Sequence, residues 1–522
     1  MSGSAKGKSN PWLVALVVTL GAFMEVLDTT IVNVALPHIA GSLAVSSDNA
    51  TWTLTTYLVA NGIVLTISSS LSKRIGRKKY FLISVAGFTA ASFGCGISTN
   101  FVELLIFRGL QGFFGGGLQP TQQAIILEVF PPEKRQQAFA LAAIATIIAP
   151  VLGPLIGGYL TDTYSWHWIL LINVPIGALT FFGALSLIQS PPDEAEQVKN
   201  APPFDYWGVL FVALALGCME LAADRGEDYD WLASNFVRVM VVLSIIGYTF
   251  GPIYLLSVKN PVVNLRVFRD RNFALSWFCI AVMGFVLYAS AVLIPQFAQQ
   301  QLGYNATWAG IVLAPGAVVL VCLIPLVGRI LNFVPVKYVI ATGGLALSAA
   351  LFYSMGLVPN MDFYHLAVFR SAQTAALALL FVPISSAAYS TIPKELNDDA
   401  ASMFSMARNV YGGVGISIST ALVTDHQQIR QHHMVQWLDP TNQPYNDTLQ
   451  RIQGAMIAHG MSAEQAVRNA PGQVFQMLRD QASTLAYIDV FFITAIISLT
   501  MTVAGLLLKN VKAKSGGGGG AA

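Results

Sequence analysis

Charge is what this chain has least of. Of its 522 residues only 11% are Asp, Glu, Lys or Arg, against roughly 25% in an average soluble domain. With 54% apolar residues and a mean hydropathy of +0.60, a water-soluble protein of this length could not cover its outside. A formal net charge of +2 excludes a basic nucleic-acid binder. Cysteine is scarce too, which excludes a disulfide scaffold. Cys95, Cys218, Cys279 and Cys322 all lie in apolar runs, where a thiol reads as a small buried hydrophobe. There is no phosphate-binding loop: Gly3 to Ser9 has three residues where four are needed and precedes no strand. No HExxH motif occurs, nor any metal-spaced group of cysteines or carboxylates, and His432-His433 reads as a solvated pair. No nucleophile constellation or aspartate-rich diphosphate motif supports a membrane enzyme. No cofactor is implied, and any work must run on an ion gradient, where one charge is worth about 2.3 kcal/mol per 100 mV.

Apolar runs are what the chain has in abundance. A spanning helix needs about 20 residues, and fourteen candidates stand between polar breaks: 12–36, 51–71, 80–99, 103–127, 137–161, 167–188, 205–224, 236–257, 272–298, 307–330, 337–357, 363–391, 400–424 and 485–508. The fold class is an all-α polytopic membrane protein. The first run carries Glu25 and Asp28 and is too long for a signal peptide, so it reads as a retained span. With the N-terminus in the cytoplasm, the inward connections hold 20 Lys and Arg and the short outward ones only Arg225 and Arg238. That bias predicts cytoplasmic termini. Residues 189–204 are polar and Pro-rich, as in a linker. Residues 426–484 form a long outward loop in which Ser462-Ala463-Glu464-Gln465 is a capping-box pattern, so short helices outside the membrane are expected. Residues 509–522 read as a flexible cytoplasmic tail.

The sequence also repeats. Ala50-Thr51-Trp52 returns as Ala306-Thr307-Trp308, Leu71-Ser72-Lys73-Arg74 as Leu326-Val327-Gly328-Arg329, and Phe107-Arg108-Gly109-Leu110-Gln111 as Phe369-Arg370-Ser371-Ala372-Gln373. The separations are 256, 255 and 262 residues. Spans 1–6 and 9–14 are therefore two copies of a six-helix unit. The expected divisions are an N-terminal bundle (1–188), a linker with two inserted spans (189–258), a C-terminal bundle (259–425 and 485–508), the outer loop 426–484 and the tail 509–522. Units of even span number share one orientation, and transporters built this way place substrate between the halves and rock around it.

Charges inside spans cost at least about 2.5–3.5 kcal/mol each on insertion scales. Glu25 and Asp28 share a helix face. Mutual repulsion and desolvation favour the neutral acid, which suits the pair to carry a proton, and an approaching Arg108 would release it. A static ion pair is the alternative. Arg370 and Arg408 read at least equally as structural, and Glu220 and Asp224 read as solvated near a helix mouth. The cavity between halves should be mostly apolar with few polar groups, with Asn33, Gln111, Tyr288, Gln296, Arg370 and Gln373 as candidates. Gly153, Pro154, Gly157 and Gly158 in span 5 mark close packing or a hinge, as do Gly115-Gly116-Gly117 and Gly412-Gly413-Val414-Gly415.

Leu27 to Pro37, LDTTIVNVALP, resembles the first-span signature of the fourteen-span drug:proton antiporters of the major facilitator superfamily. Leu71 to Lys79, LSKRIGRKK, is similar to the superfamily's basic loop after span 2, but Ser69 stands for the usual glycine and Lys73 for the usual aspartate. Arg108, Gln111 and Gly112 resemble the fourth-span motif, and Gly153-Pro154 with Gly157-Gly158 the antiporter motif of span 5. Trp166-His167-Trp168 with Ile172 to Gly177 matches the branch apart from His167, where arginine is common, and Asp224-Arg225-Gly226 fits as well. The likeness covers nearly the whole chain and extends to the EmrB-type efflux pumps. It implies the major facilitator fold with 14 transmembrane helices arranged 6 + 2 + 6, in a bacterial inner membrane. It implies proton-coupled export of small hydrophobic and amphipathic toxic compounds, such as drugs and uncouplers, with the proton as coupling ion. An importer of a specific small solute is the runner-up. Proton coupling would fall to Asp28, Glu25 and Arg108. Conformational change would involve Arg74, Gly76, Arg77, Gly153, Pro154, Gly157, Gly158 and Arg408. The implied partners are an EmrA-like periplasmic membrane-fusion adaptor, a TolC-like outer-membrane channel and membrane lipid, with no nucleic acid. The loop 426–484 would dock the adaptor, or fold over the outer mouth as a lid.

Overall fold

The computed structural model describes residues 10–190, 194–201 and 203–509, and these contain helices and no strand. Polar side chains cap the start of several helices. Asn10 accepts from the Trp12 amide to open α1 (Pro11–Ser42). α2 is Trp52–Ile75 and α3 Arg77–Gly96, and the sharp corner between them is Gly76 at φ +92°, a conformation that favours glycine. Span 4 is broken at Gly116-Gly117 into α4 (Phe101–Gly115), capped by Asn100, and α5 (Leu118–Val129). α6 (Pro132–Thr163) contains Pro150 and Pro154 and bends by 41° at residue 151, as expected where proline removes a ladder hydrogen bond. α7 is Asn173–Leu187, and α8 (Glu194–Lys199) lies in the linker.

Next come α9 (Tyr206–Val212), a π-helical turn at Ala213–Gly217, α10 (Cys218–Arg225) and α11 (Asn235–Ser257), the stretch expected as the inserted pair. The second group runs α12 (Arg271–Leu302), α13 (Ala306–Ile311), α14 (Ala314–Ile330), α15 (Val336–Tyr353), α16 (Phe363–Ala388) and α17 (Asn397–Val435), then α18 (Gln443–Ala458) and α19 (Ala463–Leu507).

Among the described residues, 11 helices are long and apolar enough to cross a membrane, or 12 with the bent α6 taken as one span. Of the fourteen expected segments, α3 and α17 fall short. α3 opens on Arg77, Lys78 and Lys79, and α17 carries Asp398, Asp399, Arg408, Asp425 and Arg430.

The outer loop departs from expectation. It is not made only of short helices: α17 extends unbroken to Val435, and α19 begins at Ala463 and continues as one 45-residue helix into the last apolar run. Ser462 does cap it, accepting from the Gln465 amide. Arg430 and His426 of α17 bind Asp489 of α19 at 2.9 and 3.0 Å. Between the two lies α18, which packs on α19 and buries none of its residues. In the turn before α18, the Thr441 amide and hydroxyl bind Asp439 and hold its carboxyl below the usual range. Of the cysteines, Cys95, Cys218 and Cys279 are buried, but Cys322 is exposed on α14. Residues 1–9 and 510–522, and with them most of the expected tail, lie outside the described residues.

Packing follows the small residues. α1 lies along α6, where Gly153 faces Thr30 and Ile31 and Gly157 faces Ile31. Gly158 is buried beside them. α2 packs on α4, and α3 on α4 and α7; in the second group α12 packs on α17 and α19, α14 on α16, and α15 on α16 and α19. The groups meet through α2 and α5 against α17, and α6 against α13, α14 and α16, while α10 touches both α2 and α17.

Candidate functional site

Two helices, α4 and α7, bring polar groups to Asp28, which sits on α1 with no exposed surface. Arg108 of α4, equally buried, donates from Nη1 to Asp28 Oδ2 at 2.5 Å. Gln111, one turn along, donates to Asp28 Oδ1 at 2.8 Å, and Asn173 of α7 to the same oxygen at 2.9 Å. Gln111 also accepts from Arg108 at 2.7 Å and donates to Ser92 of α3 at 2.7 Å. Arg108 is pinned further by Nε donating to the Thr53 carbonyl at 3.0 Å and by its Cζ lying 4.3 Å from the Tyr57 ring centroid. A carboxylate so supplied with donors is stable as an anion, and a guanidinium in this setting needs that anion.

Glu25 has a different environment, although it lies three residues away. Its Oε1 accepts from Asn61 of α2 at 2.9 Å and from Asn409 of α17 at 3.4 Å. It therefore stands where the two groups meet, while Asp28 is enclosed by the first group alone. Arg108 pairs with Asp28 and not with Glu25.

The second group repeats this network without the acid. Arg370 and Gln373 follow Arg108 and Gln111 by 262 residues, and Ser290 and Ser354 follow Asp28 and Ser92 by the same 262. Arg370 Nη1 donates to Ser290 Oγ at 2.7 Å, and Gln373 Nε2 to Ser354 Oγ at 2.9 Å. Serine thus stands in place of the aspartate. Gln111, Arg370 and Gln373 were expected in the cavity, but none of them lines the cleft: each is fully buried within its own helix group.

A narrow cleft lies between the groups. Of the expected cavity residues, Asn33 and Tyr288 line it. Gln296 does not and is half-buried elsewhere on α12. Leu54, Leu58, Val410 and Ile416 give it apolar walls. Two further lining residues are Glu220 and Asp224 of α10, contrary to their reading as solvated. Glu220 is only 4% exposed, and Asp224 accepts from the Thr55 hydroxyl and from Ser417 at 3.4 Å. Sequence position misled here because α10 does not end at open solvent: it is wedged between α2 and α17. Asn33, Leu54 and Ser417 lie in the parts of their helices remote from the basic loop.

At the opposite end the groups are tied together. Lys73 binds Asp399 at the start of α17 at 2.8 Å, and Ser69 donates to the same carboxylate. Arg77 binds Asp398 at 3.0 Å and also Glu128, while its amide donates to Glu194 of the linker at 2.6 Å. The two departures from the family loop, Ser69 and Lys73, thus form a clasp of reversed polarity. Buried behind it, Ser68 and Ser402 hydroxyls stand 3.0 Å apart, and Gln123 donates to Ser405 at 3.0 Å. Arg74 lies over the Phe204 ring at 5.2 Å. Arg408 is buried, its Cζ 5.5 Å from the Phe381 ring and its Nε donating to Asn409 at 3.3 Å. Beyond the cleft, Gly310 at the second group's α13 rests on the backbone of Pro154 and Leu155, beside the bend of α6.

No group of three or more potential metal ligands occurs among the described residues. Sequence reasoning missed Ser92, Asn173 and Thr53. Asn173 carried a signal inside the Ile172 to Gly177 motif, and Ser92 recurs as Ser354 at the 262-residue offset.

Comparison with known proteins agrees with this architecture. The Major Facilitator Superfamily sequence model matches residues 18–416. The multidrug export protein EmrB of Escherichia coli K12 is 33% identical over 511 residues, covering 98% of this chain and 97% of that protein. A probable multidrug resistance protein, EmrY of the same strain, is 34% identical over 441 residues, 84% of this chain and 85% of that protein. The crystal structure of the human organic anion transporter MFSD10 superposes with a TM-score of 0.56 at 13% identity over 94% of this chain and all (100%) of that one, a likeness of fold. With its buried acid–arginine pair and its two halves around a cleft, this chain belongs to the major facilitator superfamily, among the EmrB-type multidrug export proteins.

Proposed function

We propose that the chain is a proton-coupled antiporter that exports hydrophobic and amphipathic toxic compounds. The observation that carries this reading is the Asp28–Arg108 pair, fully buried and linked at 2.5 Å. An acid in this position can hold a proton only if the arginine withdraws, so protonation and helix rearrangement are coupled. The cleft's mostly apolar walls support amphipathic cargo. The clasp at Lys73, Arg77, Asp398 and Asp399 supports a state closed at the basic-loop face, which the Lys and Arg bias assigns to the cytoplasm. In this reading the membrane is a bacterial inner membrane crossed fourteen times, with 12–188 rocking against 272–508 and α9 to α11 inserted between them. The experiment is transport by the purified chain in proteoliposomes. An imposed pH gradient should drive a lipophilic dye against the proton flow, and a protonophore should abolish it. Dye moving with the protons would favour the importer, and no dependence on the gradient would refute coupling.

The outer segment supports a tripartite assembly with an EmrA-like adaptor and, through it, a TolC-like channel. Val435, Trp437 and Ile457 are exposed around α18, a surface with few charges, of the kind found at interface cores, and Leu438, Ile452 and Met456 adjoin them. Replacing 437–461 by a short linker should leave proteoliposome transport within about twofold of the parent. Resistance of whole cells and adaptor co-purification should both be lost. Loss of vesicle transport with adaptor binding kept would make the segment a lid instead.

A further inference from the structure

The inserted helices bring to the cleft a carboxylate that the proton pathway above does not use. Glu220 follows the π-helical turn Ala213–Gly217 on α10 and is 4% exposed. Neither of its carboxylate oxygens has a hydrogen-bond partner among the described residues. It forms part of the cleft wall. Across from it Gly413 of α17 has no side chain, and a Cβ there would stand against Glu220 Oε1. Asp224, one turn along the same face, is occupied by Thr55, Ser417 and Arg225, the last at 3.5 Å. No Lys, Arg or His is among the described residues that line the cleft.

A buried carboxylate without donors has lost its hydration and has nothing in its place. A ligand that brings a positive head favours the charged carboxylate and pairs with it, whereas one that brings a negative head finds no partner there. Leu54, Leu58, Val410 and Ile416 offer the apolar surface that the rest of such a ligand needs.

We propose that Glu220, carried by the inserted helix pair, selects the charge of what enters the cleft and gives it a preference for amphipathic organic cations. The head group sits at Glu220 and the slender apolar body lies along the aliphatic wall. This deepens the export reading and rests on it. The inserted pair is then part of the binding site as well as a spacer between the halves.

The test uses the full chain in lipid nanodiscs and two probes of equal chain length and opposite charge, decyltrimethylammonium and decanesulfonate. Binding is measured by titration calorimetry, with empty nanodiscs as the partition blank. The parent should prefer the cation, and Glu220→Gln should lower the cation-over-anion affinity ratio at least about tenfold. Glu220→Asp, which keeps the charge, should retain the preference. A ratio unchanged in Glu220→Gln, or a parent that binds both probes alike or neither, overturns the proposal. Proportional loss of both probes in Glu220→Gln also overturns it, because the residue then only shapes the wall. Failure of the export reading appears separately, as a parent that moves no dye in proteoliposomes whatever its binding ratio.

Discussion

Asp28→Asn should abolish uphill export while leaving a folded protein. Asparagine keeps the size of the side chain and one acceptor for Arg108 but cannot carry an exchangeable carboxylic proton. Arg108 retains the Thr53 carbonyl, the Gln111 side chain and the Tyr57 ring face, which limits the cost of a lost buried partner, otherwise about 3–5 kcal/mol. Gradient-driven transport in proteoliposomes should fall at least about a hundredfold, close to 3 kcal/mol of lost coupling. Downhill exchange of substrate across the same vesicles should persist. Monodisperse elution from gel filtration checks folding. Uphill transport at the parent rate would place the proton elsewhere, and Glu25, held by Asn61 and Asn409 where the two groups meet, is the next carboxylate to neutralise.

A disulfide between positions 68 and 402 should stop the cycle. Ser68 on α2 and Ser402 on α17 have hydroxyls 3.0 Å apart, both buried, behind the Lys73–Asp399 pair. Ser402 also donates to the Leu65 carbonyl at 2.7 Å, so the helices are in register here. The double variant Ser68→Cys/Ser402→Cys belongs in a Cys322→Ser background, because Cys322 is the exposed thiol among the described residues. Oxidation should reduce transport at least about tenfold, and a reductant should restore it. If the bond forms quantitatively and transport continues at the parent rate, the clasp does not open during the cycle and rocking of the halves is wrong.

Reading function from this sequence worked where burial made a residue expensive. Asp28 and Arg108 stood out because a charge in a span needs a partner, and the structure supplies each with the other. The repeat was legible for a similar reason: Arg108-Gly109-Leu110-Gln111 and Arg370-Ser371-Ala372-Gln373 keep the residues that must hydrogen-bond inside a bundle. What those residues bond to was not legible. Ser290 carries no pattern, and Ser92 and Ser354 carry only the 262-residue offset, which says nothing of the bonds they make to Gln111 and Gln373. Glu220 was misplaced because distance along the chain from a helix end says nothing about a neighbouring helix, and α17 covers it. Composition hides the lengths of α17 and α19: their outer turns are polar, and a break in hydropathy is not a break in the helix. The clasp was present in the sequence as Lys73 and Asp399, 326 residues apart. Nothing local to either joins them.

The unbroken course of α19 has a mechanical consequence. At 1.5 Å per residue a helix of 45 residues has a contour of about 68 Å, with Pro471 in its outer part. Its last apolar run packs on α12, α15 and α17, and its first turns carry α18. Roughly the first 20 residues project beyond the apolar run, an arm of about 30 Å. A tilt of about 10° at the base then sweeps the far end through about 5 Å, close to one helical turn. The Arg430–Asp489 pair and the packing of α17 on α19 tie the two helices together at the base of this arm. In the rocking proposed above, whatever rested on α18 would feel each cycle as a displacement of its own footing.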